Sequence, residues 1–228
     1  MVESRFKDIQ VCVFDAYGTL FDFRAPLERR RAKLGDKLDA LATLWRQKQL
    51  EYSWLRSLMG RHADFWRVTG EALDYAMEAL AIDDPLLRAE LMQLYLNIDA
   101  FDEARPVLER VKQAGLKTAI LSNGSPTMLT SAVNRAALLP LLDAVLSVEE
   151  RGVYKPHPSV YQLVVDQFDI GPSHVCFVSA NGWDAAGAIA FGFQVAWVNR
   201  THLPPERLPN GGLVEIERLT ELPPLIGL

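Results

Sequence analysis

The chain has 228 residues, 49% hydrophobic and 23% charged, which is enough apolar material for one large domain or a domain with an insert and argues against a disordered chain. Its formal net charge of -5, with acidic and basic residues interleaved, leaves no basic footprint for nucleic acid or anionic lipid, so the expected partner is a small molecule. The opening MVESRFKDIQ is charged and polar, and no apolar run approaches the ~20 residues that span a bilayer, so a cytoplasmic protein is expected.

In chain order, VCVF at 11–14 reads as a buried strand that runs into Asp15 and turns through Gly18 and Thr19. From about Pro26 to Ile98 there is no β-rich run. Trp45, Tyr52, Leu55 and Met59 recur there at helical spacing, as do Phe65, Ala72, Leu73, Ala76 and Leu80, then Leu87, Leu91 and Leu94. A proline near a helix start in DDPLL separates two of these helices, and the stretch reads as a small inserted helical bundle. Beyond Asp102 comes the helix EARPVLERVKQAG, stopped by Gly115 and followed by the buried strand LKTAILSNG. The pattern repeats as TMLTSAVNRAAL before LDAVLSV, SVYQLVVDQF before HVCFVSANG, and WDAAGAIAFG before FQVAWVNR. Such alternation predicts right-handed βαβ units and a parallel sheet covered on both faces, an α/β fold. The proline-rich tail segments LPPERLPNGG and LPPLIGL are expected to lie across the surface.

Cys12 and Cys176 lie in apolar runs, each three residues before a polar strand end. They are expected to be small buried hydrophobes, side by side if their strands are neighbours, and unbridged in a reducing cytoplasm. His62, His157, His174 and His202 are far apart, show no zinc-ligand spacing, and are mostly expected at the surface.

Function in open parallel sheets collects at the carboxyl ends of the strands. Four ends here are polar: Asp15 after VCVF, Ser122 and Asn123 after TAIL, Lys155 in the loop GVYKPHP, and Ser179, Asn181 and Asp184 in FVSANGWD. Singly, each has an ordinary reading, as a helix cap, a turn or a solvated loop lysine. Together they form a carboxylate nucleophile, a hydroxyl and amide cradle, and a cation converging on one crevice.

The order FDAYGTL, ILSNG, YKP and VSANGWD, with the helical insert after the first, resembles the haloacid dehalogenase superfamily over essentially the whole chain. Tyr17, Arg46, SANGWD and the insert segment LWRQKQLEYSWLRSLM narrow the resemblance to its L-2-haloacid dehalogenase (type II) branch. The resemblance implies a Rossmann-like core at 1–21 and 98–228 and an all-α, four-helix-bundle-like cap at 22–97. It implies a hydrolase acting on carbon–halide bonds, which converts L-2-haloalkanoic acids to D-2-hydroxyalkanoic acids and halide through an ester on Asp15. Asp184, helped by Lys155 and Asn181, would position or deprotonate water, and Lys155 would hold Asp15 ionised. Thr19 would orient Asp15, Ser179 belongs to the same catalytic group, and Arg46 on the cap would stabilise the leaving halide. Tyr17, Gln47, Leu50, Phe65 and Trp183 would line an apolar wall, although Leu50 and Phe65 also read as plain cap core. Tyr161 supports Ser179 or the substrate, or simply packs its helix. A homodimer through the exposed side of the insert is a further expectation from the relatives. Ala180 and Gly182 depart from the serine and alanine that often flank the motif asparagine, and His157 is also unexpected there.

Tyr17 separates the branches chemically. Phosphatases of the superfamily carry an aspartate at that place as general acid, because a departing alkoxide must be protonated. Chloride and bromide need no proton, and tyrosine, with a reference pKa of about 10, is a poor acid. Its ring suits packing against a small organic substrate, or Tyr17 is only a packed turn residue. A carboxylate approaching a phosphate dianion meets two like charges, each worth ~4 kcal/mol at about 4 Å in an effective dielectric of about 20, which Mg2+ usually offsets. A haloacid is a monoanion, for which Lys155, Ser122, Asn123 and the start of the following helix supply the compensation. Ser179 and Asn181 stand where the phosphatases have paired acidic metal ligands. No metal and no cofactor are expected, and the alternative function is a Mg-dependent small-molecule phosphatase.

Overall fold

The computed structural model describes residues 5–208 and 211–228. Among these residues the main sheet has six parallel strands in the order β5-β4-β1-β6-β7-β8. They are β1 (Val11–Phe14), β4 (Lys117–Ser122), β5 (Ala144–Ser147), β6 (Val175–Ser179), β7 (Gln194–Val198) and β8 (Val214–Ile216). Alternating with them are α6 (Ala104–Gln113), α7 (Pro126–Arg135), α8 (Pro158–Phe168) and α9 (Gly182–Phe191). β1 sits between β4 and β6 and is buried at every position, as a doubly covered central strand must be. In register, Phe14 pairs with Ile120 and Val178, so Asp15, Asn123 and Ser179 emerge at one edge of the sheet.

Two short strands, β2 (Phe21–Asp22) and β3 (Asp99–Ala100), pair antiparallel and bring together the two ends of the helical insert. The insert comprises α1 (Arg24–Glu28), α2 (Arg31–Leu34), α3 (Leu38–Met59), α4 (Phe65–Ala79) and α5 (Pro85–Leu96). Asp64 and Asp84 cap α4 and α5 through bonds of 3.0 and 2.9 Å from Arg67 N and Leu87 N, contacts worth about 1 kcal/mol each. Pro85 opens α5, and α3 ends at Gly60, whose φ of 62° suits a residue without Cβ. Phe65, Ala72, Leu73, Ala76, Leu87 and Leu91 are buried as their periodicity predicts. The C-terminal end of α3 is different: Leu55 and Met59 are exposed, with Leu58 between them 84% accessible. The buried stripe of α3 instead runs through Leu38, Leu41, Trp45, Gln49 and Ser53, turning polar partway along.

Cys12 and Cys176 are register partners on β1 and β6, both buried and free; burial pushes the Cys176 thiol up. His157 and His202 are exposed, whereas His62 is partly buried against Glu149. The tail corrects one expectation. Residues 203–208 are exposed, and 209–210 lie outside the described residues, but the chain then returns to the core. β8 extends the sheet beside β7, and Leu219, Leu222 and Pro223 are buried, the last two in the short helix α10 (Leu222–Leu225). The apolar residues of LPPLIGL therefore complete the core, and the three-residue pattern VEI was too short to announce a strand. Among the described residues no helix is long and apolar enough to cross a membrane.

Candidate active site

Beyond β1 the backbone N–H of Asp15 still donates to Val178 O (2.8 Å), and the chain then folds back tightly, with Leu20 N and Phe21 N both bonded to Ala16 O. Gly18, at φ 87°, takes the left-handed conformation this turn needs. The fold-back aims the Thr19 hydroxyl at Asp15 Oδ2 (3.2 Å), while Thr19 Oγ1 itself accepts from Ala180 N (2.8 Å). Asn181 Nδ2 donates to Asp15 Oδ2 at 2.9 Å. Lys155 Nζ lies 3.1 Å from Asp15 Oδ1 and 2.9 Å from Asp184 Oδ2, bridging the two carboxylates. Its backbone N–H is held by Asn123 Oδ1 at 3.0 Å, which leaves the Asn123 amide N–H groups as donors.

Asp184 is enclosed by donors: Ser179 Oγ on Oδ2 (2.9 Å) and Tyr161 OH on Oδ1 (2.8 Å), in addition to Lys155. Tyr161 therefore supports Asp184. Burial pulls the Lys155 pKa down, but the charges of Asp15 and Asp184 outweigh it and leave the ammonium raised above its ordinary value. Asp184 is itself raised, by burial first and, against the pull of Lys155, by the charge of Asp15. The Tyr161 bond favours its ionised form, so Tyr161→Phe removes a stabiliser of the anion and moves the Asp184 pKa higher. The Asp184 carboxyl, followed by carbon NMR from pH 4 to 8, is expected to protonate above the ordinary aspartate value of about 3.9 in the wild type and further up in Tyr161→Phe.

Tyr17 is buried, its ring 5.8 Å from Tyr95 and 6.3 Å from Phe65. Gly124 lets the loop after β4 pass against it, since a Cβ there would lie 3.0 Å from the Tyr17 ring and from Leu129. The Tyr17 hydroxyl has no hydrogen-bond partner among the described residues. Burial, reinforced by Tyr95 and Asp15, drives its pKa well above that of an ordinary phenol, which makes it a still poorer proton donor. With no protein hydrogen bond to lose, Tyr17→Phe is expected to keep kcat within about threefold in a steady-state assay.

The insert reaches this cluster through Arg46, which donates to Asn181 Oδ1 (3.1 Å) and Gln49 Oε1 (2.7 Å) and lies over the Phe23 ring. Phe65 is buried between Tyr17 and Tyr154, and Trp183 meets Trp54 edge-on at 5.3 Å. Leu50 is partly buried. Gln47, expected in the same wall, is exposed and stands apart from the cluster; the buried glutamine of α3 is Gln49. Ser122 is buried and accepts from Gly124 N (3.0 Å), so its visible work is to hold the turn. The insert is fastened to the core by Glu149, which accepts from Phe65 N (3.1 Å) and meets His62 Nε2 (2.7 Å), and by bonds from Tyr154 N to Ser57 Oγ and Tyr154 OH to Ala63 O.

The donor set does not suit a divalent cation. An ammonium stands between the two carboxylates, and Asn181 turns its amide N–H toward Asp15, where a metal site would need an oxygen. Among the described residues no group of three or more His, Cys, Asp or Glu is placed to hold a metal ion.

The site is thus a buried, lysine-paired aspartate at the end of the central strand of a parallel α/β core, faced by a helical insert that contributes an arginine. A family model for haloacid dehalogenase-like hydrolases matches residues 9–192. The chain is 45% identical to (S)-2-haloacid dehalogenase 1 of Pseudomonas sp. (strain CBS-3), covering 96% of each, and 42% identical to (S)-2-haloacid dehalogenase 4A of Burkholderia cepacia, covering 99% of this chain and 96% of that one. The structure of L-2-haloacid dehalogenase from Xanthobacter autotrophicus with chloropropionic acid covalently bound superposes with a TM-score of 0.85 at 39% identity, over 95% of this chain and 98% of that one. The chain belongs to the haloacid dehalogenase-like hydrolases, in their L-2-haloacid dehalogenase branch.

Proposed function

We propose that this enzyme hydrolyses L-2-haloalkanoic acids to D-2-hydroxyalkanoic acids and halide, with Asp15 as the nucleophile. The observation that carries the assignment is the pairing of an oriented, buried carboxylate with a buried tyrosine at position 17, a site equipped to attack carbon and without the aspartate acid that the phosphatases carry at that position. One Asp15 oxygen attacks Cα from the side opposite the halogen; the carbon–halogen bond breaks, halide leaves toward Arg46, and configuration inverts. The covalently bound chloropropionic acid in the Xanthobacter enzyme supports such an ester. Water, positioned by Asp184 with Lys155 and Asn181, then adds to the ester carbonyl of Asp15. Asp184 takes its proton, and the donors Thr19, Asn181 and Lys155 stabilise the oxyanion; on collapse the bond from the Asp15 carbonyl carbon to the substrate oxygen breaks, and the proton held by Asp184 passes to that oxygen, releasing the 2-hydroxy acid and restoring both carboxylates. Because this step breaks the acyl–oxygen bond, the substrate carbon is not inverted again. Tyr17, Phe65, Leu50 and Trp183 form the dry wall that strengthens these charge interactions.

The phosphatase alternative requires an acid at position 17 and a set of metal donors, and the residues present fit neither. The test is halide release from L-2-chloropropionate in chelator, with the D enantiomer and p-nitrophenyl phosphate plus Mg2+ as controls. D-lactate from the L substrate alone is expected; phosphate release faster than chloride release would overturn the assignment.

A further inference from the structure

Gln49 has no role in the chemistry above, yet it is fully buried in a helix stripe whose other members are mostly apolar. A buried amide must have its hydrogen-bonding groups satisfied, and the partners reveal its orientation. Thr69 Oγ1 gives its one proton to the carbonyl of Phe65, at 2.6 Å, so toward Gln49 it can only accept. It accepts from Gln49 Nε2 at 2.7 Å, which turns Gln49 Oε1 toward Arg46, where it receives the guanidinium N–H at 2.7 Å. The other arm of Arg46 donates to Asn181 Oδ1, and Asn181 Nδ2 donates to Asp15 Oδ2. Every bond in this chain has one permitted direction, fixed at the Phe65 end by a backbone carbonyl. Trp45 Nε1, bonded to Thr69 O at 2.9 Å, holds the same turn of α4 in place.

We infer that Gln49, anchored by Thr69, is a positioning residue that fixes the Arg46 guanidinium for the departing halide and does so without neutralising it. An arginine has several rotatable bonds and would otherwise sample many positions, and one strong bond to a fixed acceptor removes that freedom before substrate arrives. A neutral acceptor matters because a carboxylate at this place would pair with the guanidinium and draw its charge away from the halide. The inference rests on the reading of Arg46 as the group that stabilises the leaving halide.

The test compares single-turnover halide release from L-2-chloro-, bromo- and iodopropionate by wild type, Gln49→Met, Gln49→Glu, Thr69→Val and Arg46→Lys, with melting curves to establish that each variant is folded. Chloride, the smallest and poorest of these leaving groups, needs the most stabilisation. In Gln49→Met the chloride rate is expected to fall about 10- to 100-fold, the range of one hydrogen bond to a charged group, with a smaller loss for bromide and the smallest for iodide. Gln49→Glu, nearly identical in shape, should show the same steepening, because the carboxylate would pair with the guanidinium and draw its charge away from the halide, while Thr69 would have to donate to it and release Phe65 O. Thr69→Val should follow in milder form. If Arg46→Lys steepens the halide dependence while the Gln49 and Thr69 variants lose all three halides equally or lose nothing, the inference about Gln49 is overturned and the reading of Arg46 stands. A wild-type halide dependence in Gln49→Glu alone would overturn the claim that the acceptor must be neutral and the argument from bond direction with it. If Arg46→Lys itself leaves the halide dependence unchanged, both fall together.

Discussion

Asp15→Asn is expected to lower halide release from L-2-chloropropionate by about 10,000-fold or more while the protein remains folded, as is usual when the group that forms a covalent intermediate is removed. The amide matches the carboxylate in shape and still fits beside Thr19 and Asn181, so the loss reports nucleophilicity. Lys155 keeps Asp184 as its partner in the variant, which limits the damage to the fold. The complementary measurement uses the wild type: a single turnover in heavy-oxygen water with enzyme in excess should place the label in the polypeptide, at Asp15, and leave the first molecules of hydroxy acid unlabelled. Label found only in the product would mean that water attacks the substrate directly.

Lys155→Met should produce the other large effect, in activity and stability together. The lysine side chain is 1% exposed and stands between two buried carboxylates. Removing one member of a buried ion pair typically costs about 3–5 kcal/mol, because the uncompensated charges stay behind. Halide release should fall by about 1,000-fold or more, since Asp15 loses the cation that orients it and Asp184 loses its partner during water attack. The stability loss should depend on pH with a definite sign. In the variant the two carboxylates repel, and one acquires a folded-state pKa above its unfolded value of about 3.9. Such a group favours folding while it is protonated and opposes it as pH rises through the folded pKa. Urea unfolding of Lys155→Met relative to wild type should therefore show a smaller deficit at pH 5 than at pH 8. An equal deficit at both would argue that the variant suffers from lost packing, such as the contact of Lys155 with the Phe177 ring, and not from charge.

The βαβ succession was legible because a doubly covered parallel sheet demands continuous apolar strands, and runs such as VCVF and VCFVS have few other uses. The polar strand ends were legible for a related reason: an aspartate, a serine and an asparagine placed where such strands stop must face the same edge once the register is parallel. Their equal distance from those ends put Cys12 beside Cys176 only if their strands are neighbours, and the order of the sheet meets that condition. The tail failed the same test. Its strand is three residues long among prolines, and its burial depends on β7 offering a free edge, which is a property of the assembled sheet.

Gln49 and Gln47 show the limit inside the site. Both lie in the same helical segment two residues apart, so on a helix they face different directions, and which one turns inward depends on where α4 packs. Composition favours neither. One signal was present: Leu38, Leu41 and Trp45 continue at i+4 to Gln49, so a polar residue stood on the apolar stripe. The seeming continuation of that stripe through Leu55 and Met59 pointed to the wrong face, because those side chains extend into solvent.

By itself the amino-acid order determined the class of fold, the aspartate at the end of the first strand and the absence of a second aspartate at position 17, since each follows from local pattern and residue chemistry. Only the tertiary structure decided that Lys155 bridges Asp15 and Asp184, that Tyr161 serves Asp184, and that Arg46 meets Asn181 from across the insert. The physical reason is distance along the chain: these contacts join residues 23 to 140 positions apart, and local periodicity carries no information about which remote side chains a packed core will bring within hydrogen-bonding reach.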